Sequence, residues 1–343
     1  MQDEKIDAYV ALRPENRRYL SGFTGSAGIL LITLEEAFLV TDFRYVEQAA
    51  AQAPEFRVVK AGSDPFSSVG ELGKKVKNLG FEGDYLTFED YGKLREAFPQ
   101  AGLASLPSLV NHLRSVKESS EIEAVRQAVK IADQAFDHIL NFLALGQSEE
   151  EIALELEFTM RRAGASGPAF DFIVASGWRS AMPHGVASPK RIQKGEFLTM
   201  DYGAIYQGYC SDITRTVFLG EPDEKQREIY DIVLAANRAG IEAVVPGRTG
   251  KEVDAVARKL IDAAGYGEYF GHGLGHSVGL AIHEGPNLNT REERVLEPGM
   301  VLTVEPGIYI PNWGGVRIED MVLVTEKGCE VLTQAPKDLI IVE

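Results

Sequence analysis

The N-terminal third of the chain alternates short apolar runs with amphipathic stretches. The runs DAYVAL, AGILLIT, AFLVTD and FRVVKA have the length and the β-branched content of strands. Helical periodicity lies at Arg44–Ala53 and Ser67–Leu79. Strands mixed with helices predict a small α/β domain. A loop rich in Pro, Ser and Asn follows at Leu106–His112, so we place the domains at 1–115 and 116–343.

The second domain repeats one device for starting helices. A capping residue stands three positions before an acidic or amide residue, so each side chain can satisfy a free backbone N–H group. Glycines stand where these helices should end. The predicted cap pairs are Ser120 with Glu123, Ser148 with Glu151, Asp223 with Gln226, and Thr249 with Glu252, and the terminal glycines are Gly146, Gly164, Gly247 and Gly265.

The spacing of these features indicates an internal duplication. Ser120 and Asp223 are 103 positions apart, and Ser148 and Thr249 are 101 apart. The segment GEFLTMDYG, at 195–203, is echoed by GMVLTVEPG, at 299–307, at an offset of 104. The domain is therefore predicted to be an α+β fold built from two helix–helix–sheet halves.

The first half contains a predicted hairpin, MDYGAIYQGYCSDITRT, at 200–216. A turn centred between Tyr206 and Gln207 would place Asp201 directly opposite Asp212. Like charges at facing positions of a hairpin are destabilising. The pairing therefore requires an explanation.

The second half repeats this arrangement, because a turn centred on Asn312 places Glu305 opposite Glu319. Exposed carboxylates would need only solvent, but the flanking residues are apolar and predict a buried setting. A buried carboxylate is costly unless it is paired or coordinates a metal. We therefore predict that these carboxylates bind cations.

A glycine-rich segment, GHGLGHSVGLAIHEG at 271–285, contains His272, His276 and His283. The glycines disfavour a helix, and no HExxH motif is present. One histidine is therefore expected as a ligand and the others beside the substrate. The four negative charges of the carboxylates, with a neutral imidazole, match the charge of two divalent cations. The oxygen-rich donor set favours Mn²⁺, with Co²⁺ and Zn²⁺ as alternatives.

Composition narrows the class of protein. The chain has 343 residues, 45% of them hydrophobic, with 35 basic against 51 acidic residues and a formal net charge of −16. No basic stripe is present, which disfavours nucleic acid as a partner. No apolar run is long enough for a membrane span, and the N-terminus lacks a signal-peptide core. Two cysteines predict no disulfide framework, and we expect a cytoplasmic protein.

Taken together, the Asp201/Asp212 pair and the motifs HGLGH, VEPG and RIED resemble the proline-specific metallopeptidases of the pita-bread fold. These include Xaa-Pro aminopeptidase and prolidase and, more distantly, methionine aminopeptidase and creatinase. The segments RPENRRYLSGFTGSAGILLIT and FLVTDFRYVEQA are similar to the creatinase-type N-terminal domain. The resemblance covers nearly the whole chain and implies a dinuclear exopeptidase, and a homodimer.

The resemblance also implies roles for individual residues. Asp212 and Glu319 would bridge both metal ions, and Glu305 would also act as the general base. His184, in MPHG, would contact the scissile peptide, and His283, in IHEG, would stabilise the oxyanion. The full ligand set that the resemblance implies is Asp201, Asp212, His276, Glu305 and Glu319.

Three further residues are implied around the substrate. His272 would border the pocket for the proline ring, and Tyr309 and Arg317 would line the site. Taken alone, His272 is also compatible with a satisfied core or loop residue, and Arg317 with a surface ion pair. Small microbial prolidases commonly carry an arginine shortly after the HE pair, where this chain has Asn287. This departure favours Xaa-Pro aminopeptidase, acting on peptides with proline second, with Xaa-Pro dipeptidase as the alternative.

Other classes of protein compete with these interpretations. GHSVG, at 275–279, matches the GxSxG motif with Ser277 as nucleophile, but no histidine follows His283 to complete a triad. A non-catalytic peptide-binding module and a metal-free hydrolase like creatinase would not need the complete ligand set. Methionine aminopeptidase is disfavoured by the extra N-terminal domain.

Overall fold

The computed structural model describes residues 1, 3–107 and 109–343. The chain divides into two compact units, Met1–Arg114 and Ser115–Glu343. Among the described helices, none is long and apolar enough to cross a lipid bilayer.

The first unit is an α/β structure. Within its described residues, six strands form one mixed sheet in the order β4-β3-β2-β1-β5-β6. Apolar residues of the strands and helices form two buried clusters. The elements are β1 (Ala8–Ala11), α1 (Pro14–Ser21), β2 (Ile29–Thr33), β3 (Ala37–Thr41), α2 (Val46–Gln52), β4 (Arg57–Lys60), α3 (Pro65–Leu72), β5 (Asn78–Phe81), α4 (Phe88–Ala97), β6 (Gly102–Ser105) and α5 (Leu109–Ser115).

The four predicted strands correspond to β1 to β4, and the predicted helix at 44–53 corresponds to α2. The helix predicted at Ser67–Leu79 is wrong at both ends. Asp64 caps α3 by accepting hydrogen bonds from Phe66 N and Ser67 N, so the helix begins at Pro65. It ends at Leu72, before Gly73, and the apolar residues that follow belong to β5.

The second unit contains two helix pairs and two larger sheets. The sheets have the orders β20-β12-β9-β8 and β14-β13-β15-β18-β19. The elements are α6 (Ser119–Phe142), α7 (Glu149–Arg162), β7 (Gly167–Pro168), β8 (Ile173–Ser176), β9 (Glu196–Tyr202), β10 (Ala204–Tyr206), β11 (Tyr209–Cys210), β12 (Ile213–Leu219), α8 (Glu224–Ala243), α9 (Gly250–Ala263), β13 (Gly275–Ser277), β14 (Glu284–Leu288), β15 (Val301–Val304), β16 (Gly307–Ile310), β17 (Gly314–Arg317), β18 (Asp320–Val324), β19 (Cys329–Val331) and β20 (Ile341–Val342). Short 3₁₀ turns lie at Gly177–Ala181 and Gly267–Tyr269.

Three of the four predicted capping boxes are present, at Ser148, Asp223 and Thr249. The prediction for Ser120 was wrong, because α6 is capped by Glu118 with Glu121 as its reciprocal partner. Glutamate is an uncommon N-cap, so a rule based on Ser, Thr, Asp and Asn selects the wrong residue. The helix begins two positions earlier than predicted.

The duplication is visible in matching contacts of the two halves. At the start of α7, Ser148 forms an isolated antiparallel β-bridge with Arg191. At the start of α9, Thr249 forms the corresponding β-bridge with Val295. Each half also buries its own helix pair against its own sheet, α6–α7 with β8, β9 and β12, and α8–α9 with β15 and β18. This confirms the predicted α/β domain followed by an α+β domain with two related halves.

The register of the second hairpin agrees with the prediction. Val304 pairs with Asp320 and Gly307 with Arg317, so Glu305 and Glu319 occupy corresponding positions between the paired segments. A turn centred on Asn312 accounts for this register.

The register of the first hairpin differs from the prediction. Asp201 pairs with Thr214, not with Asp212. The chain reverses at Gln207 and Gly208, which both have positive φ, and Tyr206 pairs with Tyr209. A two-residue turn of this kind favours glycine in the left-handed region, and Gly208 meets this preference. The turn centre therefore lies one residue beyond the predicted position.

A buried ion pair joins the two sheets beside these hairpins. Arg215 of β12 donates from Nη2 to Asp320 Oδ1 of β18 at 2.8 Å, and each side chain is 1% exposed. Asp320 also accepts from Lys337 Nζ at 2.7 Å and from Thr333 Oγ1 at 2.7 Å. Burial alone would raise the pKa of Asp320, but the charges of Arg215 and Lys337 lower it to about 2.

We expect Asp320→Ala to lower the free energy of unfolding by about 3–5 kcal/mol, because it leaves the buried Arg215 charge unpaired. Asp338→Ala is the matched control, since Asp338 pairs with Arg238 at 2.9 Å on an exposed surface. That change should cost less than about 1 kcal/mol. Denaturant unfolding of both variants measures the difference, and equal losses would contradict the role of the buried pair.

Candidate active site

A cavity of about 900 Å³ opens in the second unit. Its wall contains all five predicted ligands, together with the three other predicted histidines and the predicted arginine. The predicted residues that line it are Asp201, Asp212, His276, Glu305, Glu319, His184, His272, His283 and Arg317. Tyr309 is not part of the cavity lining and is 8% exposed.

The strand ends of both halves place the carboxylates. Asp201 is near the end of β9 and Asp212 directly precedes β12, whereas Glu305 directly follows β15 and Glu319 directly precedes β18. His276 lies on β13, which pairs with β15. The duplicated sheets therefore bring their acidic strand ends to one cavity.

Asp212, His276 and Glu319 form the tightest group, because their candidate ligand atoms all lie within 4.8 Å of one another. His276 Nε2 is 3.6 Å from Asp212 Oδ2 and 3.4 Å from Glu305 Oε1. Asp201 lies outside the tightest group and is held by Arg317 Nη2, at 2.6 Å from its Oδ2.

The hydrogen bonds of His276 leave one ring nitrogen directed at the carboxylates. Its Nδ1 lies 3.0 Å from the Ser277 carbonyl oxygen, which can only accept a hydrogen bond. Nδ1 therefore carries the proton, and the lone pair of Nε2 faces Asp212 and Glu305. Metal-binding histidines are commonly oriented by such a second contact.

Two threonines that the sequence analysis missed orient the glutamates. Thr214 Oγ1 donates to Glu319 Oε2 at 2.7 Å, and Thr303 Oγ1 donates to Glu305 Oε1 at 3.1 Å. A signal for them exists in the sequence, because Thr214 is two positions from Asp212 and Thr303 two positions from Glu305. Residues two apart on a strand share a face.

A chain of hydrogen bonds connects Asp201 to His272. Arg317 Nη1 donates to the Tyr309 hydroxyl at 2.9 Å, and that hydroxyl lies 2.8 Å from His272 Nε2. His272 Nδ1 lies 2.7 Å from the Gly273 carbonyl oxygen and must donate to it. The Tyr309 hydroxyl therefore donates to His272 Nε2. The hydrogen bonds hold Asp201, Arg317, Tyr309 and His272 in fixed positions relative to one another.

The remaining two histidines lie on the cavity wall. The rings of His276 and His283 are in edge contact, with centroids 4.4 Å apart. His184 is exposed and follows the 3₁₀ turn at Gly177–Ala181. Asp171, Arg258 and Arg291 also line the cavity and were missed by the sequence analysis, because their segments carry no recognisable motif.

The comparison with known families agrees with this geometry. Residues 123–326 match the model of metallopeptidase family M24. The chain belongs to metallopeptidase family M24. Residues 1–116 match the creatinase/prolidase N-terminal domain.

Relatives in family M24 are similar over nearly their whole length. The chain is 43% identical to the Xaa-Pro dipeptidase of Pyrococcus furiosus, covering 99% of this chain and 97% of the relative. A solved Xaa-Pro dipeptidase from Bacillus anthracis has a TM-score of 0.97 and 50% identity, covering 99% of this chain and 96% of that chain. The X-Pro aminopeptidase structure from Thermotoga maritima has a TM-score of 0.93 and 40% identity, covering 99% and 97%.

The donor set of this M24 site fits divalent cations. Burial, followed by the charges of neighbouring carboxylates, raises the pKa of Asp212 and of Glu319 well above the ordinary range. Asp201 Oδ1 is buried with no hydrogen-bond partner in the described structure. Burial lowers the pKa of His276 to about 4, so its imidazole is neutral at pH 7. Several buried carboxylates and a neutral imidazole are the ligands that a divalent cation needs.

Ser277 does not have the surroundings of a nucleophile. It lies within β13, is fully buried, and its Oγ has no hydrogen-bond partner among the described residues. A GxSxG nucleophile stands instead at an exposed strand-to-helix turn. We expect Ser277→Ala to keep peptidase activity within about threefold of wild type. Loss of all activity, with metal content unchanged, would revive the serine hydrolase alternative.

The acidic cluster predicts how stability depends on pH in chelator-treated protein. Burial raises the pKa of Glu305 from 4.5 to about 8, so the folded state holds a proton that the unfolded chain releases across this interval. The free energy of unfolding should therefore fall as pH rises from about 4.5 to about 8. Thermal unfolding across this range measures the slope.

Glu305→Gln is the control for this prediction, since the amide cannot titrate and the decline should become shallower. Added Mn²⁺ should raise the melting temperature most at the upper end of the range, because metal binding favours deprotonated ligands. Stability that rises with pH in the chelated wild type would contradict the raised pKa.

Proposed function

We propose that this protein is a metal-dependent Xaa-Pro dipeptidase. The close group of Asp212, His276 and Glu319 in the wall of the M24 cavity is the observation that carries the proposal. The substrate is supported by relatives at 43% and 50% identity that carry the name Xaa-Pro dipeptidase. The sequence had favoured an aminopeptidase because Asn287 replaces an arginine, and the comparisons favour the dipeptidase alternative instead. Xaa-Pro aminopeptidase is the second candidate, supported by the Thermotoga relative.

We assign the metal ligands to five side chains on the cavity wall. Two divalent cations would supply Lewis-acid polarisation of the scissile carbonyl when bound. Oxygen-rich donors favour Mn²⁺ over Co²⁺ or Zn²⁺. Mn²⁺ as the metal and a homodimer as the assembly stay predictions. The assigned ligands are Asp201, Asp212, His276, Glu305 and Glu319.

The proposed proton acceptor is Glu305. Its carboxylate is held by the Thr303 hydroxyl and lies next to His276, so that its position relative to the other ligands is fixed. His283, in ring contact with His276, is assigned to the developing oxyanion. His184 is assigned to the scissile peptide. A general base must be placed within hydrogen-bond reach of the proton that it accepts, and these two contacts keep the Glu305 carboxylate beside the other proposed ligands.

Arg317, Tyr309 and His272 are proposed to shape the substrate side of the site. The Arg317 guanidinium holds Asp201 at 2.6 Å and the Tyr309 hydroxyl at 2.9 Å. Tyr309 in turn fixes His272, which lines the cavity. Proline lacks an amide N–H, so a site that selects it must recognise the ring by shape. A wall held rigid by this chain of hydrogen bonds suits that purpose.

We expect chelator-stripped protein reloaded with Mn²⁺ to hydrolyse Ala-Pro faster than Ala-Pro-Ala, with little activity before reloading. Asp212→Asn should lower activity at least about 100-fold, because it removes a charged ligand from the tightest group. Product analysis and metal content of the same samples provide the measurement. Ala-Ala is the control substrate, since it tests whether proline is required. Metal-dependent cleavage of the tripeptide with Ala-Pro left intact would establish the aminopeptidase instead.

A further inference from the structure

A dipeptide brings a charge that a longer substrate carries much further from the scissile bond. In Xaa-Pro the free carboxylate is attached to the proline Cα, next to the nitrogen of the bond that breaks. Each further residue of a longer peptide would move it about 3.8 Å along the chain. A carboxylate that leaves water for a cavity needs a charged or strongly hydrogen-bonding partner. An inference about that partner rests on the proposed dipeptidase function.

The arginines on the cavity wall are the candidates for this partner, and within the described chain no lysine lines the cavity. They are Arg258, Arg291 and Arg317.

Arg258 is engaged by the protein itself. Its Nε and Nη2 donate to the Asp254 carboxylate at 2.8 Å each. Nη1 donates to the Phe270 carbonyl at 2.9 Å, and Nη2 also donates to the His272 carbonyl at 2.7 Å. The charge is neutralised by Asp254, and its donors hold the segment that carries His272. Arg258 is therefore a structural residue of the wall.

Arg317 is engaged in the same way. Nη2 donates to Asp201, Nη1 to the Tyr309 hydroxyl and, at 3.3 Å, to the Pro183 carbonyl, and Nε to Thr214 Oγ1 at 3.0 Å. The residue is 3% exposed, which leaves it little access to substrate.

Arg291 differs from both. The residue is exposed, and within the described ranges its guanidinium has neither an ion-pair nor a hydrogen-bond partner. It therefore contributes an unneutralised positive charge to a cavity wall that is otherwise rich in carboxylates. Such a charge favours an anionic group of the substrate on this side of the cavity.

The backbone that carries Arg291 is held in place. Arg291 N donates to Asn289 Oδ1 at 2.9 Å, and Glu292 Oε2 accepts from Asn287 N at 3.0 Å. The Glu292 carbonyl accepts from Lys251 N at 2.9 Å, which ties the loop to the first turn of α9. A loop anchored at both ends presents its side chain with little loss of backbone entropy on binding.

The position along the strand also places Arg291 on the relevant wall. Asn287 of β14 pairs with His276 of β13, the proposed metal ligand. The chain continues from Asn287 through Asn289 and Thr290, which also line the cavity, to Arg291. The wall thus runs from the metal ligands to the free guanidinium within a few residues.

We propose that the Arg291 guanidinium binds the C-terminal carboxylate of the substrate and thereby sets the preference for dipeptides. A bidentate guanidinium–carboxylate contact gives direction as well as charge. It is available to Xaa-Pro and lost when the carboxylate is amidated or extended by further residues. Arg291 acts here as a specificity residue and takes no part in the bond cleavage itself.

The test compares Ala-Pro with Ala-Pro-amide, which has the same scissile bond and no carboxylate. We expect Arg291→Ala to raise KM for Ala-Pro by about 10- to 100-fold, the size expected for a charge-assisted contact, while hydrolysis of the amide stays unchanged. Arg291→Lys should recover part of the loss, because it keeps the charge without the planar fork. Arg227→Ala is the matched control, an exposed arginine of α8 whose Nη2 is 3.5 Å from Glu221 and which lies outside the cavity.

Each outcome decides between separate claims. Wild type that cleaves Ala-Pro, with an Arg291→Ala variant that keeps the same KM, overturns the role of Arg291 and leaves the dipeptidase standing. Equal losses on Ala-Pro and its amide also overturn it, because they indicate a general disturbance of the site. Wild type that ignores Ala-Pro in the metal-loaded form overturns the proposed function, and the inference with it. Melting temperatures within a degree or so of wild type show that the variants are folded.

Discussion

The burial of several carboxylates in one cavity is the constraint on which the structure of the second unit depends. Taking ionised carboxylates out of water is costly, and placing them beside one another adds repulsion. Burial and the neighbouring charges accordingly raise the pKa values of Asp212, Glu305 and Glu319. Only a folded scaffold that is stable for other reasons can hold such a cluster, and cations relieve its cost.

The scaffold obtains that stability from its duplicated construction. Each half packs a helix pair onto its own sheet, and the two apolar clusters are built from α6–α7 and α8–α9. The buried ion pair of Arg215 and Asp320 then joins β12 to β18. Because Asp212 precedes β12 and Glu319 precedes β18, the contact that joins the sheets also fixes two proposed ligands from different halves. Structural and functional groups thus occupy neighbouring positions on the same strands.

Three arginines line the cavity, and they differ in whether the protein neutralises their charge. Arg317 is buried and bonded to Asp201, so it offsets part of the acidic charge without occupying the open space. Arg258 is neutralised by Asp254 and holds the segment of His272. Of these three arginines, Arg291 alone has a guanidinium without a partner in the described part of the chain. A cavity with carboxylates at one place and a free guanidinium at another can distinguish the two ends of a small zwitterionic peptide by charge.

Local patterns in the sequence determined much of this protein. Short apolar runs predicted the first four strands, reciprocal capping predicted the starts of α7, α8 and α9, and the echo around Asp201 and Glu305 predicted the duplication. These features depend on residues close together in the chain, whose local energetics a pattern can express. The HGLGH, VEPG and RIED motifs then identified the family and the residues that line the cavity.

Two local features were predicted wrongly from the sequence, the position of the first turn and the cap of α6. The positive φ of Gln207 and Gly208 moved the first turn by one residue and paired Asp201 with Thr214. Glu118 replaced Ser120 as the cap of α6. Whether the guanidinium of an arginine is paired or free depends on the residues that face it in the fold. The sequence does not show this difference between Arg258, Arg291 and Arg317. The sequence by itself determined which residues are candidates for the site. Packing between distant segments decided which charged groups are paired and which are free to meet a substrate, because desolvation and pairing arise only when those segments meet.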